Sequence, residues 1–425
     1  MNRQASAHAT QWARPVVPHM EEAPIMPRFS RFLLLFAVLL VPWGCGDVAT
    51  DELMAPDGVD AKLTDAPGIT VMSQNLYLGV DLGVLLTATT PEQIAVGLQQ
   101  LVTTNALDAT NPALGPRRML DIAMSIADEA PHLVGLQEVS HYTFTFADNS
   151  QVVLDFRAVL EGLLNYLHAT GYTPYTWSWE VNQLVAAPTI NLPVMGGIAV
   201  DFVDSDAILV RNDVSVTGTP VGETFDAVQM FNVFGTVFPF YRGYGAVTVE
   251  VEGHELVFAN THLEVQQFED VQVAQTAEFI EFIDDQSLPV IALGDFNSAA
   301  NHDAPEDQTS GSYRMLVKAG LADFWLREAH SVGGVTCCQA GDLTNPTSEL
   351  TQRLDLILAD WGPAGFGGQS TMHVVGEEPA DRIAFTAVSP FGGDPFPLAL
   401  WPSDHAGVVA TLWPAPGRSM ERPGH

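Results

Sequence analysis

The sequence predicts an α/β sandwich that forms one large domain. Strand-like and helix-like segments alternate over residues 69–412, and no change of composition divides them into two domains. Two strand-like runs, residues 245–251 and 255–260, flank a short polar turn, which predicts an antiparallel hairpin. No G-x-G-x-x-G motif follows a strand to open a helix, so a doubly wound dinucleotide-binding fold has no support.

Each predicted element rests on a local pattern. Short apolar or alternating runs predict strands over residues 69–75, 132–137, 172–179, 206–210, 245–251, 255–260, 290–293, 354–358 and 406–412. Apolar residues at helical spacing predict helices over residues 91–107, 116–130, 155–169, 265–284 and 312–319. Thr90 and Pro91 suit the start of the first helix, as an N-cap and a proline at the first helical position. Pro131 ends the second helix.

The N-terminal region predicts export. Arg28 and Arg31 precede an apolar run over residues 32–41, which is too short for a membrane-spanning helix of about 20 apolar residues. We assign residues 1–44 to an N-terminal overhang plus export signal and 45–67 to a polar linker. Residues 68–414 form the folded domain, and 415–425 form a short tail. The sequence before Cys45 resembles a bacterial lipoprotein cleavage box, so the alternatives are outer-leaflet anchoring at the cell envelope through Cys45 and plain secretion.

The charge of the chain limits its partners. It has 51 acidic and 17 basic residues, a formal net charge of −34, and a 47% hydrophobic composition that can form a sizeable core. Non-specific binding to nucleic acid relies on cations that neutralise phosphates, so tight binding of that kind is not expected. A nuclease stays compatible with this charge, since a bound metal and a few arginines can hold one phosphate. The sequence contains no feature that indicates an oligomeric state.

The adjacent cysteines Cys337 and Cys338 leave two states open. Export would place them in an oxidising compartment, which favours a disulfide. Neighbouring Cα atoms lie about 3.8 Å apart across a trans peptide, however, and this is below the usual disulfide range of roughly 4.4–6.8 Å. The alternatives are therefore a vicinal disulfide and two free thiols.

Polar residues recur where the apolar strands end. They are Asn75, Glu138, His262, Asp295, Asn297, Asp355, Asp404 and His405. Any one of them alone is more simply explained as a turn residue, a helix N-cap or a structural histidine. The set is harder to explain in that way, because ligand sites of α/β proteins gather at strand ends. Asp355 also lies inside an apolar run, where an unpaired charge would be costly.

These residue types favour phosphate chemistry with a hard cation. The carboxylates of Glu138 and Asp295, with the amides of Asn75 and Asn297 nearby, suit Mg²⁺, with Mn²⁺ or Ca²⁺ as alternatives. Two histidines suit phosphate binding and proton transfer. The chain has no H-E-x-x-H, no paired C-x-x-C and no G-x-S-x-G motif, which disfavours a zinc site and a serine hydrolase.

In this order the motifs resemble the endonuclease/exonuclease/phosphatase superfamily over residues 69–412. They are Asn75, Leu-Gln-Glu138-Val, Thr-His262-Leu, Gly-Asp295-Phe-Asn297, Arg-Leu-Asp355 and Ser-Asp404-His405. The resemblance implies a four-layer α/β/β/α sandwich of the deoxyribonuclease I type. It also implies that the active site lies at one rim of the paired sheets.

The same resemblance implies a role for each matched residue. The metal side comprises Glu138, Asn75 and Asp404. The catalytic residues are His262, Asp295, Asn297, Asp355 and His405. Asp295 would orient or deprotonate the attacking water, and Asp355 would hold His405 in a His–Asp pair. The substrate phosphate would be contacted by Asn297, His262 and, from its position before a strand, Arg242.

Departures from the superfamily's submotifs narrow the substrate. Inositol polyphosphate 5-phosphatases carry Trp-Cys-Asp-Arg where this chain has Arg353-Leu354-Asp355, which disfavours that branch. Abasic-site repair enzymes tend to be basic and intracellular, whereas this chain is acidic and carries a predicted export signal, which disfavours that branch as well. Neutral sphingomyelinases and secreted deoxyribonucleases remain. The apolar run over residues 230–241 is open to two interpretations, a lipid-facing hairpin or a pair of core strands, and core strands are the commoner outcome.

We therefore predict an exported, Mg²⁺-dependent phosphoesterase that hydrolyses a phosphodiester with metal-activated water. The prediction leans towards a phospholipid or sphingomyelin-type headgroup. One alternative is a secreted deoxyribonuclease-type endonuclease. An alternative from another class is an inactive fold relative that acts as a surface interaction module.

Overall fold

The computed structural model describes residues 67–81, 90–186, 190–192, 198–233, 236–300, 310–326, 333–360, 362 and 365–415. The predicted export signal, Cys45 and nearly all of the predicted linker lie outside these residues. The described residues belong to one compact unit, Lys62–His425. Among the helices in the described part of the chain, none is long and apolar enough to cross a membrane.

Five α-helices form within the described residues. They are α1 (Pro91–Thr104), α2 (Arg117–Glu129), α3 (Phe156–Ala169), α4 (Glu269–Asp284) and α5 (Gly311–Lys318). Short 3₁₀ turns add Pro112–Leu114, Gln266–Phe268 and Pro379–Asp381. Thr90 caps α1 as the sequence predicts, and its side chain accepts a hydrogen bond from the backbone N–H of Gln93.

Twenty-one β-strands form within the described residues. They are β1 (Ile69–Asn75), β2 (Leu107–Asp108), β3 (Leu133–Gln137), β4 (His141–Thr145), β5 (Gln151–Asp155), β6 (Trp177–Ala186), β7 (Ile190–Leu192), β8 (Ile198–Arg211), β9 (Ser215–Val216), β10 (Val221–Thr224), β11 (Gln229–Val233), β12 (Thr236–Phe240), β13 (Gly243–Val251), β14 (His254–His262), β15 (Val290–Asp295), β16 (Leu321–Asp323), β17 (Asp355–Asp360), β18 (Phe366–Val375), β19 (Ile383–Val388), β20 (Phe396–Leu400) and β21 (Gly407–Pro414).

Two large sheets form the centre of the fold. The first has the order β18-β21-β1-β3-β8-β4-β5, with β6 and β7 also paired to β8. The second has the order β10-β13-β14-β15-β17-β16, with β9 paired to β13. Each sheet contains a parallel pair at its centre, β1 with β3 and β14 with β15, and is otherwise antiparallel. Parallel strands end at the same edge, so each pair delivers its C-terminal residues to one rim.

Three apolar layers show that the sheets and helices stack as α/β/β/α. The inner faces of the two sheets pack against each other through residues such as Val71, Ile208, Phe258 and Ile291. Helices α2 and α3 cover the outer face of the first sheet, and α4 and α5 cover that of the second. The predicted four-layer sandwich is therefore confirmed.

Several predicted boundaries differ from the structure, and two of these differences have a local reason. The strand expected over residues 172–179 begins only at Trp177, after Pro174, which has no N–H to donate to a sheet. The helix expected over residues 265–284 begins with the 3₁₀ turn Gln266–Phe268 and becomes α-helical at Glu269.

The apolar run over residues 230–241 falls between its two interpretations. It forms a separate two-stranded hairpin, β11 with β12, that pairs with neither large sheet among the described residues. Its packing alternates, because Phe238 and Phe240 are buried while Met230 and Val237 are 52% and 58% exposed. The hairpin therefore has one face on the core and one apolar face towards solvent.

Candidate active site

Strand ends from both sheets meet at one rim and bring the predicted residues together. In the first sheet Asn75 is in register with Gln137, so Glu138 follows directly beside it. In the second sheet Asp295 is in register with both His262 and Asp355. The approach of β14 to β15 depends on Gly294, which has a φ of +142°, because a Cβ there would collide with the carbonyl oxygen of Thr261.

His405 and Asp355 form a buried pair. His405 Nδ1 lies 2.8 Å from Asp355 Oδ2. Burial alone lowers the pKa of a histidine, but the negative charges of Asp355, Asp295 and Asp404 raise the pKa of His405 well above its ordinary value. Burial raises the pKa of Asp355, while His405 opposes that rise. The imidazole can therefore hold a proton and a positive charge with Nε2 directed away from Asp355.

Asp295 lies at the centre of the cluster. Its Oδ2 accepts a hydrogen bond of 3.0 Å from Asn75 Nδ2, and its Oδ1 accepts one of 2.9 Å from the backbone N–H of Asn297. The same Oδ2 lies 3.4 Å from His262 Nε2 and 3.8 Å from His405 Nε2. One carboxylate thus faces both histidines, which is the position from which it could accept a proton from a water.

Glu138 and Asp404 form a second acidic group whose donor atoms fit a divalent cation. Glu138 Oε2 accepts a hydrogen bond of 2.5 Å from the backbone N–H of Leu78. Asp404 Oδ1 is buried and has no hydrogen-bond partner among the described residues. Burial, followed by repulsion from Asp404, raises the pKa of Glu138 to about 8. Burial raises the pKa of Asp404 to about 6, although His405 opposes this. An unpartnered carboxylate oxygen beside a second carboxylate is a donor set for a hard cation.

His262 differs from His405 because it faces a cation. Its Nδ1 lies 2.8 Å from Arg242 Nη1, and since arginine can only donate, Nδ1 accepts and Nε2 carries the proton. Burial, Arg242 and His405 lower the pKa of His262 well below its ordinary value. The site therefore contains one neutral and one positively charged histidine. The side-chain amide of Asn297 lies beside the neutral one, with Nδ2 3.1 Å from Nε2.

Three site residues adopt left-handed backbone conformations. Tyr77, Glu138 and Asn297 have φ values of 63°, 58° and 48°, although none is glycine. Such conformations are uncommon outside glycine and are kept where the surroundings enforce them. Here these conformations turn the backbone sharply where a strand ends, and they direct the side chains of Glu138 and Asn297 towards the rim.

The structure adds three charged residues that the sequence analysis did not identify. Asp204 and Asp206 of β8 are buried, and lie 3.9 Å from Arg242 and 3.8 Å from His262 respectively. Arg118 of α2 is 1% exposed. The apolar sequence of β8 gave a signal for Asp204 and Asp206, since two carboxylates two positions apart in a buried strand lie on one face and need partners. Arg118 gave none beyond its place in a helix.

Arg118 binds backbone oxygens of three segments. It donates to the carbonyls of Leu76 and Tyr77, to Thr104 at 3.0 Å and to Pro402 at 3.4 Å. Leu76 directly follows Asn75, and Pro402 precedes Ser403-Asp404-His405. One buried guanidinium therefore ties together two loops that bear site residues.

The rim opens into a cavity of about 720 Å³. An acidic floor of the cavity contains Glu138, Asp295, Asp404 and His405, and an apolar wall contains residues of β11, β12 and the turn 265–268. Arg242 is the one Lys or Arg that lines the cavity among the described residues. Seven of the nine predicted site residues line the cavity. The other two are hydrogen-bonded to residues that do, Asn75 to Asp295 and Asp355 to His405.

The chain belongs to the Endonuclease/Exonuclease/phosphatase family, whose sequence profile matches residues 72–405. Members of this family are phosphoester hydrolases that depend on a divalent metal, and this chain is a hydrolase of that class. No curated protein sequence matches the chain. The match spans every motif from β1 to His405, so it rests on the same residues as the geometry of the rim.

Several solved structures are similar in fold. An endonuclease/exonuclease/phosphatase from Beutenbergia cavernae is 19% identical, covers 82% of this chain and 72% of its own, and has a TM-score of 0.46. Truncated TDP2 from Caenorhabditis elegans is 17% identical, with a match that covers 81% of this chain and 97% of its own, and has a TM-score of 0.43. A mannosyl-6-phosphatase from Bacteroides thetaiotaomicron is 17% identical, with a match that covers 81% of this chain and 99% of its own, and has a TM-score of 0.43.

Proposed function

We propose that the chain is an exported, Mg²⁺-dependent phosphodiesterase that acts on a phospholipid-type headgroup. The observation that supports the substrate class is the apolar wall of the cavity. Met230, Phe231, Phe240 and Phe268 form this wall of the same cavity that holds the acidic floor, and Phe231 packs edge-on against Phe268 with ring centroids 5.5 Å apart. A phosphate joined to an apolar or choline-like group would place its charge on the floor and its remainder on this wall.

The exposed face of the hairpin supports contact with a lipid surface. Met230 and Val237 project from it towards solvent. Exposed apolar side chains beside a cavity are typical of a surface that meets a membrane or another apolar partner. Because the same hairpin lines the cavity, binding at a lipid surface would bring the headgroup to the rim.

The charge distribution argues against a nucleic-acid backbone. Proteins that hold a strand of DNA or RNA use a positive groove to follow several phosphates. Here Arg242 is 5% exposed and is engaged by His262, and the whole chain has a net charge of −34. A single phosphate can be held at this rim, whereas a track of them has no matching cations among the described residues of the cavity.

The proposed roles follow from the contacts. Mg²⁺ would be held by Glu138 and Asp404, with Asn75 nearby, and would supply positive charge to the phosphate oxygens. Asp295 would orient the attacking water and accept its proton. His405, held by Asp355, would stabilise the charge that develops on the phosphate. Neutral His262, with Asn297 and Arg242, would bind the phosphate and donate a proton towards the leaving oxygen.

Export belongs to the same proposal. It is supported by the arginines and the apolar run before Cys45. Fractionation of expressing cells, with mass spectrometry of the mature N-terminus, distinguishes lipid-modified Cys45 from plain secretion. An unprocessed N-terminus in the cytosolic fraction would contradict export.

A substrate panel tests the function directly. Purified enzyme with Mg²⁺ would be assayed on sphingomyelin and phosphatidylcholine vesicles, plasmid DNA, inositol phosphates and bis-p-nitrophenyl phosphate, each with and without chelator. We expect chelator-sensitive release from the vesicles and from the soluble diester. Activity on DNA with none on either lipid would overturn the substrate class while leaving the hydrolase intact.

A hairpin variant separates lipid contact from chemistry. Val237→Ser should lower the rate on vesicles several-fold and leave the rate on bis-p-nitrophenyl phosphate unchanged, because Val237 is 58% exposed and is not among the residues that line the cavity. Val153→Ser offers a matched control, since Val153 is 51% exposed on β5, an edge strand of the first large sheet that is separate from the hairpin. Equal rates of all three proteins on vesicles would contradict a lipid-facing role for the hairpin.

A further inference from the structure

The adjacent cysteines lie at the catalytic cavity. In the structure Cys337 and Cys338 are paired sulfur to sulfur, and both the disulfide and the dithiol are states that the pair can adopt. Both residues line the cavity together with Asp295, Asp404 and His405. Cys337 is 3% exposed, whereas Cys338 is open to solvent. A sulfur pair accessible from the cavity has no part in the proposed hydrolysis.

The backbone around the pair is fixed without help from the sulfurs. Cys337 exchanges backbone hydrogen bonds of 3.0 Å with Gln352, three residues before Asp355. On the other side Thr336 accepts from Ala406 at 2.8 Å, and Gln339 donates to Asp404 at 2.9 Å. These bonds hold the cysteine segment between the two strand-end segments that carry Asp355 and His405. The cysteines should therefore stay beside His405 when the sulfur–sulfur bond is open.

The free nitrogen of His405 faces the sulfurs. Nδ1 is engaged by Asp355, and Nε2 lies 3.9 Å from Cys338 Sγ. The two sulfurs and Nε2 all lie within 4.8 Å of one another. A histidine whose other nitrogen is bound to a carboxylate is the usual arrangement of a metal-ligating imidazole. Two thiolates and an imidazole form a donor set for soft or borderline cations such as Zn²⁺.

We propose that the reduced cysteines and His405 form a second metal site, selective for thiophilic cations, which inhibits the enzyme when filled. The site differs in chemistry from the oxygen-rich group of Glu138 and Asp404. A cation bound there would occupy Nε2 of His405 and remove that histidine from the reaction. With the disulfide closed, the sulfurs lack thiolate donors and the site is absent. Inhibition by such cations thus depends on the redox state of the pair.

The redox step balances with an external dithiol. The dithiol gives two electrons and two protons to the Cys337–Cys338 bond, which yields two protein thiols and one oxidised cyclic disulfide. Binding of a divalent cation then releases the two thiol protons and the proton on Nε2 of His405, as the thiolates and the imidazole coordinate. The inhibitory half of the proposal rests on the proposed hydrolase activity, whereas the binding half does not.

Cobalt binding tests the site without reference to activity. The full chain would be reduced with a dithiol, freed of reductant without oxygen, and titrated with Co²⁺, whose bond to thiolate gives a sulfur-to-cobalt charge-transfer band. We expect this band in the reduced protein and not in the oxidised protein. Cys338→Ser should lose it, and Cys45→Ser, which removes the remaining cysteine, should keep it. Equal absorption by reduced wild type and Cys338→Ser would overturn the proposal.

Zinc inhibition tests the consequence. With Mg²⁺ in excess, hydrolysis of bis-p-nitrophenyl phosphate would be titrated with Zn²⁺ before and after reduction, each protein compared with its own rate without Zn²⁺. Reduced wild type should be inhibited at a Zn²⁺ concentration about tenfold or more below that needed for Cys338→Ser or for oxidised enzyme. A thiolate–cobalt band without this difference would overturn the inhibitory half alone. Absence of hydrolysis in every protein, with the band present, would count against the proposed function and not against the site.

Discussion

Among single residues, His405 is the one whose loss should be most damaging to the reaction. His405→Ala should lower kcat by about 10²–10⁴-fold, because it removes the charged partner of the phosphate. The measurement is steady-state hydrolysis of bis-p-nitrophenyl phosphate at saturating Mg²⁺. His141→Ala provides a matched control, since His141 also faces an aspartate, Asp155 at 3.4 Å, but is 42% exposed on β4. Full activity in His405→Ala would contradict the proposed role.

The pKa values of the acidic group predict a pH dependence of metal binding. Glu138 has a pKa of about 8 and Asp404 of about 6 in the metal-free protein, so protons compete with the cation as the pH falls. We expect the apparent Kd for Mg²⁺ to decrease about tenfold or more from about pH 6 to about pH 8, measured by calorimetry. Glu138→Gln should bind weakly at both values. A Kd independent of pH would contradict ionisation on binding.

The same shifts set the stability of the metal-free protein. A carboxyl group whose pKa is raised by folding stabilises the folded state at low pH, and that contribution is lost as the pH rises towards the folded value. The Tm without metal should therefore fall from about pH 5 to about pH 8, and excess Mg²⁺ should remove much of that fall. Differential scanning calorimetry with and without Mg²⁺ measures both trends, and a metal-free Tm that rises over this range would contradict the sign.

At the level of secondary structure, Gly294 controls the approach of β14 to β15. Gly294→Ala should destabilise the protein by about 2 kcal/mol or more, because the new Cβ meets the Thr261 carbonyl and the φ is unfavourable for alanine. Gly253→Ala separates the two effects, since Gly253 also has a positive φ but open space around it. Denaturant unfolding should show the larger loss at Gly294. Equal losses would mean that the close contact contributes nothing.

Arg118 joins elements that the site needs in a fixed arrangement. Arg118→Met should weaken Mg²⁺ binding about tenfold, because the loops before Asp404 and after Asn75 lose their common donor. Arg211 is the control, as it is also buried, donates to the Ala130 carbonyl and stacks on Tyr175, but lies at the C-terminal end of β8, whereas Asp204 lies in the middle of that strand. Arg211→Met should destabilise the fold without altering Mg²⁺ affinity. Calorimetry on both folded variants makes the comparison.

The elements show which features a single sequence reveals. Continuous apolar runs such as β1 and β15 were predicted almost to the residue, because strands buried on both faces need them. The strands β4, β18 and β20 were missed, since they alternate with polar residues and are half-exposed. The helices were located to within a few residues by their apolar spacing, as in α3.

The site was predicted to the extent that its residues sit in recognisable motifs. Glu138, Asp295 and His405 were found because each follows or precedes an apolar strand. Arg118 was not, since its partners are backbone carbonyls of three segments distant in sequence. The position of the two cysteines beside His405 was not predicted either, because the backbone at Cys337 is held by pairing with Gln352, which is distant from His405 in the sequence.

At the level of the whole molecule, the net charge of −34 governs encounters with charged surfaces. Like charges repel, and salt screens that repulsion over a Debye length of about 8–10 Å at moderate ionic strength. We expect added NaCl to increase the rate on vesicles of anionic phospholipid several-fold while the rate on phosphatidylcholine vesicles changes little. Vesicle assays over a salt series measure this. A rate on anionic vesicles that falls with salt would instead indicate a cationic binding surface.

The pairing of β1 with β21 has a consequence for how the enzyme is made. Ile69 pairs with Leu412, so the first and last strands of the described domain are neighbours at the middle of one sheet. During synthesis β1 must wait for more than three hundred further residues before its partner leaves the ribosome. Asn75 and His405 come from these two ends of the chain. Catalytic competence should therefore arise late and all at once, so a growing chain would carry no phosphoesterase activity until the domain is complete.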